Sequence, residues 1–276
     1  MQQTTADPTE MPQIAAPQLP RTRRFRTARV VMALILREIG SSDSRSSLGF
    51  LWTIIDPIAQ IIVLSFAFSF ISRSPRLGDN FQLYYVTGVI PFHMYTQISS
   101  KVASSIRFSR QLLGFPSVTV LDALFARFLL NMFIDCLVFI VLTYYVIHFY
   151  DLRVDIDIET AFLSIAMAGA LAVGVGTFNS VLFLLMPAYE NIFSVISRPL
   201  MIASGVLLLI DDLPVRVASV LWWNPAAHVV GMMRHAFFPT FNPSHLSASY
   251  VFLVAGIAFV LGLVSLQRFV YDALDR

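Results

Sequence analysis

The chain has 276 residues, 57% of them apolar and 13% charged, with a mean hydropathy of +0.71. Soluble domains carry about 25% charged residues. The balance therefore excludes a soluble globular enzyme, a disordered chain and a nucleic-acid-binding module, and leaves an all-α polytopic membrane protein. The net charge is only +2, so its distribution matters more than its size. A single cysteine, Cys136, excludes a disulfide framework and sits in an apolar run as a small core side chain. Five scattered histidines offer no metal-ligand spacing, and neither a metal nor a cofactor is expected in this chain.

Residues 1–23 form a polar tail with four prolines before position 21 and no apolar stretch of the kind a signal peptide needs. Residues 24–47 comprise an amphipathic interfacial helix and a linker. Within them Val30, Val31, Leu34, Ile35, Leu36 and Ile39 alternate at helical spacing with Arg26, Arg29 and Arg37. Such a helix lies in the headgroup plane, where arginines reach phosphates. It either anchors the tail or, with Arg45, frames an entrance for a lipid-linked substrate.

Crossing a bilayer takes about 20 mostly apolar helical residues, because lipid cannot satisfy backbone polar groups. Six stretches qualify within a transmembrane domain over 48–267: residues 48–72, 81–100, 121–150, 158–189, 192–210 and 246–267. Val217–Met233 is also uncharged, but Trp222-Trp223-Asn224-Pro225 interrupts its middle. Proline removes a backbone donor and biases its neighbour away from helix. Two short half-helices that enter and return on one side are expected there, giving a periplasmic re-entrant hairpin before the last span.

Six spans place both termini on one side. That side would carry twelve basic residues, seven of them arginines before the first span, with a short tail at 268–276. The opposite loops would hold five: Arg73, Arg76, Arg153, Arg216 and Arg234. The positive-inside rule then makes both termini cytoplasmic. On the same side falls Arg107-Phe108-Ser109-Arg110-Gln111-Leu112-Leu113-Gly114-Phe115-Pro116. Leu112, Leu113 and Phe115 would be an apolar patch in water. They dock into a partner's groove or lie on lipid.

Three motifs carry a family resemblance. The first is Leu34-Ile35-Leu36-Arg37-Glu38-Ile39 followed by Leu48-Gly49-Phe50-Leu51-Trp52-Thr53-Ile54-Ile55-Asp56-Pro57. The second is Gly88-Val89-Ile90-Pro91-Phe92. The third is Trp223-Asn224-Pro225-Ala226-Ala227-His228, followed by Arg234-His235-Ala236-Phe237-Phe238-Pro239. Together, from about residue 30 to the C-terminus, they resemble the membrane subunits of ABC-2-type exporters, specifically capsular polysaccharide export permeases. Between the amphipathic helix and the first span this chain has only Arg45, where relatives carry several basic residues.

The resemblance implies a homodimer in the bacterial inner membrane, each copy resting on a cytoplasmic ATPase subunit that binds ATP and Mg. It implies a lipid-linked polysaccharide as cargo and periplasmic and outer-membrane partners beyond. It also makes the loop with Arg107, Arg110, Leu112, Leu113, Phe115 and Pro116 the coupling element that receives the ATPase's movement. Independently, the chain has no phosphate-cradling G-x-x-x-x-G-K motif, and its only lysine is Lys101. By that route ATP is therefore used elsewhere or not at all, and the resemblance implies a transport subunit rather than an enzyme.

Sugars bind through aromatic faces and exchangeable hydrogen bonds. Candidates for the path are Tyr84, Tyr85, Phe92 and Tyr95 in the second span, with Trp52, Asp56, Trp222 and Trp223. The three tryptophans fit interfacial anchors equally. Asp56, Asp135 and Arg198 are costly in lipid and should face the interior or a partner. Ala170-x-x-x-Gly174 and Ala172-x-x-x-Gly176 fit close packing within the chain or a seam between copies. Two other permeases share this architecture, for O-antigen and for teichoic acid. An intramembrane glycosyl or acyl transferase would need paired acids, and Asp211-Asp212 is the only such pair. An ion-coupled transporter would need matching broken halves.

Overall fold

In a computed structural model the chain is described for residues 26–43, 49–70, 75–113 and 118–274. Among these residues there are ten α-helices, one short 3-10 turn and no strand. The helices are α1 Arg26–Asp43, α2 Gly49–Ser69, α3 Phe81–Ala103, α4 Ser105–Leu113 and α5 Val120–Phe149. They continue with α6 Ile158–Leu185, α7 Ala188–Ala203, α8 Val215–Leu221, α9 Pro225–Phe237 and α10 Ala248–Leu274. Three are long and apolar enough to cross a membrane: α5, α6 and α10 through Phe269. Residues 1–25, 44–48, 71–74, 114–117 and 275–276 lie outside this description.

Local chemistry sets the helix ends. Asn80 caps α3 by accepting from Leu83 N–H at 3.0 Å. Thr119 and Asp122 cap α5 reciprocally, each side chain serving the other's backbone N–H. Asp157 caps α6, accepting from the N–H groups of Glu159 and Thr160 and from the Thr160 hydroxyl. Asn224 caps α9, with Pro225 at the first helical position, where its missing donor costs nothing. The same Asn-Pro that interrupts the apolar run thus starts a helix.

The core is built on α3, α6, α9 and α10. Helix α3 is buried over most of its length from Leu83 to Ala103, and α9 from Ala226 to Phe237, unlike the more exposed α5 and α10. Small residues allow the closest approaches. A Cβ on Gly174 would strike the Ala255 carbonyl, and one on Gly262 would come within 2.6 Å of Phe178 N. Gly176 packs in the same way against Ser99 O and Val102 of α3. Gly174 and Gly176, two small residues of the Ala-x-x-x-Gly repeats, are therefore spent on packing inside the chain.

Two features differ from the sequence expectation. Arg234, expected in a loop, lies inside α9 and is buried, because α9 continues to Phe237 and carries it inward. The expected stretch 192–210 is helical only to Ala203, since Gly205 takes φ +77 and turns the chain into a non-helical passage before a 3-10 turn at Ile210–Asp212. Among the residues of α7 none is buried.

Two outcomes follow from this packing. Gly174→Val should destabilise the chain by about 1–3 kcal/mol through overpacking. Gly256→Ala, with open space around it, should stabilise by about 1 kcal/mol by helix propensity. Thermal unfolding in detergent reads both. The second concerns Asp157, whose carboxyl is held below its usual range, first by the Thr160 hydroxyl and then by the Thr160 N–H. A depressed folded value gives stability that is present above the unfolded value and lost as pH falls through the folded one. The protection factors of the Glu159 and Thr160 amides should therefore fall as pH drops below the ordinary carboxylate range of about 4, and Asp157→Asn should flatten that dependence.

Candidate functional site

Charged and aromatic side chains gather at two ends of the helix bundle. At one end α3 stops, α4 crosses, and α5 and α7 begin. Arg127, near the start of α5, ties this end together. Its Nε lies 3.1 Å from the Glu38 carboxylate of α1, and the two side chains are only 10% and 14% exposed. One terminal nitrogen donates to Lys101 O at 3.1 Å and to Ser104 Oγ at 2.8 Å, closing the C-terminal end of α3. The guanidinium also lies 4.1 Å from the Phe108 ring centre of α4, and Arg37 of α1 sits 5.6 Å from that ring. Arg107, the neighbour of Phe108, donates to Glu190 of α7 at 2.6 Å. Four helices thus meet α4 or its anchor through charged or π contacts.

At the other end α7, α8, α9 and the start of α10 converge. Arg234 of α9 is 2% exposed, and its two terminal nitrogens donate to Gly205 O and Val206 O at 2.6 and 2.8 Å. Its guanidinium lies 4.2 Å from the Tyr84 ring centre. The carbonyls, freed where α7 ends, take the place of a counter-ion. Ser164 Oγ donates to Val229 O at 2.8 Å and Asp157 N–H to Ala236 O at 2.9 Å, holding α9 along α6. The Asn224 amide donates to Ser204 Oγ at 2.9 Å, fixing the α8–α9 turn to the end of α7.

The remaining predicted residues separate. Tyr84, Tyr85, Phe92 and Tyr95 are all buried within the single chain, and the first two rings meet edge to face at 5.2 Å. Asp56 is exposed on α2 beside Pro57. Asp135 is half-buried in α5, Arg198 is exposed on α7, and no salt bridge joins them among the described residues. Arg29 is exposed, Arg37 half-buried, and Arg110 exposed near the end of α4. Trp222 is half-buried and Trp223 exposed in the α8–α9 turn. Trp52, Arg26, Leu112 and Leu113 lie in helices, but their side chains fall outside the described residues, as do Arg45, Phe115 and Pro116 altogether.

Arg127, Glu38, Glu190 and Arg234, which hold these two junctions, were not singled out by sequence as site residues. The partners of the first junction are 89 and 83 residues apart, and no local spacing links them. Arg234 did leave a signal: it is the only charge between Asn224 and Phe241.

Residues 29–238 match the family described as ABC-2 type transporter. The chain belongs to the ABC-2 type transporter family. It is also similar to curated proteins over most of their length. The polysialic acid transport protein KpsM of Escherichia coli is 27% identical over 240 residues, covering 84% of this chain and 90% of that protein. The capsule polysaccharide export inner-membrane protein CtrC of Neisseria meningitidis is 28% identical over 242 residues, with 87% and 91% covered. The namesake BexB of Haemophilus influenzae is 24% identical over 241 residues, with the same coverage.

Removing one partner of a largely buried ion pair leaves the other charge desolvated. Glu38→Gln should therefore cost about 3 kcal/mol, and the double variant Glu38→Gln/Arg127→Gln should lose less than the two single losses added together. Unfolding of the full chain in detergent measures the cycle.

Proposed function

We propose that the chain is the permease subunit of an ATP-driven exporter that carries a lipid-linked capsular polysaccharide across the bacterial inner membrane. The observation that carries this reading is similarity over about nine-tenths of the length of three proteins whose names specify capsular or polysialic acid transport. The missing phosphate-binding loop supports the division of labour. ATP and Mg belong to a separate cytoplasmic ATPase subunit, and this chain transports rather than catalyses.

On this reading α2, α3, α5, α6, α7 and α10 are the six spans, and α8 and α9 form the re-entrant hairpin. Helix α7 is about 24 Å long at 1.5 Å per residue, short for a hydrocarbon core of about 30 Å. The passage after Ala203 completes its crossing. The positive-inside distribution supports cytoplasmic termini. Helix α1 then lies in the inner headgroup plane, α4 faces the ATPase, and the α8–α9 turn faces the periplasm. Re-entrant backbone needs protein around it, and the burial of α9 between α3, α6 and α10 supports that placement.

The contacts of α4 support a coupling role. An ATPase pushing on α4 moves Phe108 and Arg107 together. Through Arg127 and Glu38 that displacement reaches α1 and α5; through Glu190 it reaches α7. Two copies of the chain enclose the path, and the buried aromatic set of α3 forms its wall only as the helices separate. The glycan passes on to periplasmic and outer-membrane partners.

Purification of the tagged chain from its native membranes in mild detergent tests the reading. We expect a stoichiometric nucleotide-binding subunit with vanadate-sensitive ATPase activity, and loss of surface polysaccharide on deleting the chain. Leu112→Asp with Phe115→Asp should abolish export or strip the ATPase from the preparation. Unchanged export with unchanged co-purification would remove α4 and its following loop from the coupling role.

A further inference from the structure

The α8–α9 turn borders an open cleft of about 270 Å3 that no part of the coupling scheme uses. Its rings are Trp222, Trp223, His228, His245 and Tyr250, with the Ser219 hydroxyl at the edge. Trp222 lies 5.4 Å from His228 and 5.6 Å from His245, centre to centre, and His228 lies 5.2 Å from Tyr250. Trp223 is 76% exposed. An exposed indole at a membrane interface can serve as an anchor or as a binding face, and here it stands beside four other rings of one cleft.

The walls are fixed before any ligand arrives. Nδ1 of His228 accepts from Ser247 N–H at 3.3 Å. Nδ1 is therefore unprotonated, and Nε2 carries the proton that is donated to Trp222 O at 2.8 Å. Tyr250 Oη donates to Trp223 O at 2.7 Å. The turn is thus stitched to the start of α10 on both sides, and the Asn224 amide secures it to α7. Binding here need not order the backbone first, which preserves affinity.

Charge selects the occupant. Among the lining residues there is no lysine or arginine. The cleft therefore offers no fixed cation to hold a phosphate or a carboxylate. It offers flat π faces for C–H surfaces, with the His245 imidazole and the accepting lone pairs of the Ser219 and Tyr250 oxygens for hydroxyls. This is the chemistry of an uncharged sugar ring.

We propose that the cleft at the α8–α9 turn is a sugar-binding subsite that takes uncharged pyranose units of the exported glycan on the far side of the membrane. The inference rests on the export reading above and adds a ligand class and a place to it. Contact with a few rings gives binding weak enough to release each unit as the chain advances.

The test uses the full chain in cells that contain its ATPase and make the glycan, with Ser219 replaced by the photoreactive p-benzoylphenylalanine. Irradiation should give a protein adduct that carries glycan and is degraded by periodate, which cleaves vicinal diols. Adding Trp223→Ala and His245→Ala should lower the adduct yield about fivefold, whereas Trp223→Phe should retain it. Both altered side chains are exposed, so the unfolding midpoint should not move. An adduct containing phospholipid alone would make the cleft an interfacial anchor and overturn the proposal. So would an unchanged yield in the double variant. If deleting the chain abolishes surface glycan but no sugar adduct forms, the subsite alone is wrong. If surface glycan survives the deletion, the export reading falls and the subsite with it.

Discussion

A guanidinium sealed inside a helical protein must find acceptors or become prohibitively costly. Arg234 finds them in Gly205 O and Val206 O and places its flat face on Tyr84. Much of the far end of the bundle depends on that solution. The helix of Arg234 must be central, so α9 sits among α3, α6 and α10. The chain after α7 leaves helical pairing, which turns the Gly205 and Val206 carbonyls toward the cation. Gly205, at positive φ, makes that turn. One side chain therefore ties the end of α7 to the buried α9.

The near end solves the same problem differently. Arg127 has a carboxylate partner, but also a carbonyl, a hydroxyl and an aromatic face. Those groups come from α1, α3, the residue between α3 and α4, and α4. A single planar donor with several directions of attachment can fix the relative positions of several helices. A lysine would offer one point of charge and no plane to stack. The two ends thus share a device, an arginine on an aromatic ring, although they are built from unrelated stretches of chain.

Most helices were legible because lipid imposes a length and a composition on any stretch that crosses it. Apolar runs located α3, α5, α6 and α10, and the Asn-Pro pair located the break between α8 and α9. Amphipathic spacing located α1. The interior was less legible. Tyr84 and Tyr85 attract attention as a polar-aromatic pair, yet sequence alone does not say that Arg234 stacks on the first of them. The Glu38–Arg127 contact depends on the fold bringing α1 against α5, and nothing within a few residues of either announces it. Apolar periodicity reports what a helix hides; it is silent on which distant charge it hides beside.

The glycines of α6 carry a further consequence. Gly174 and Gly176 bring α6 almost backbone to backbone with α10 and α3, which makes those three helices a stiff spine. Helix α7 has no such contact and no buried residue. On the proposed dimer, a second copy meeting this chain through α7 would face side chains that can slide and re-form rather than interlocked main chains. Such a boundary is easier to part than the spine. A translocating machine built this way would widen along its seams while each half kept its shape.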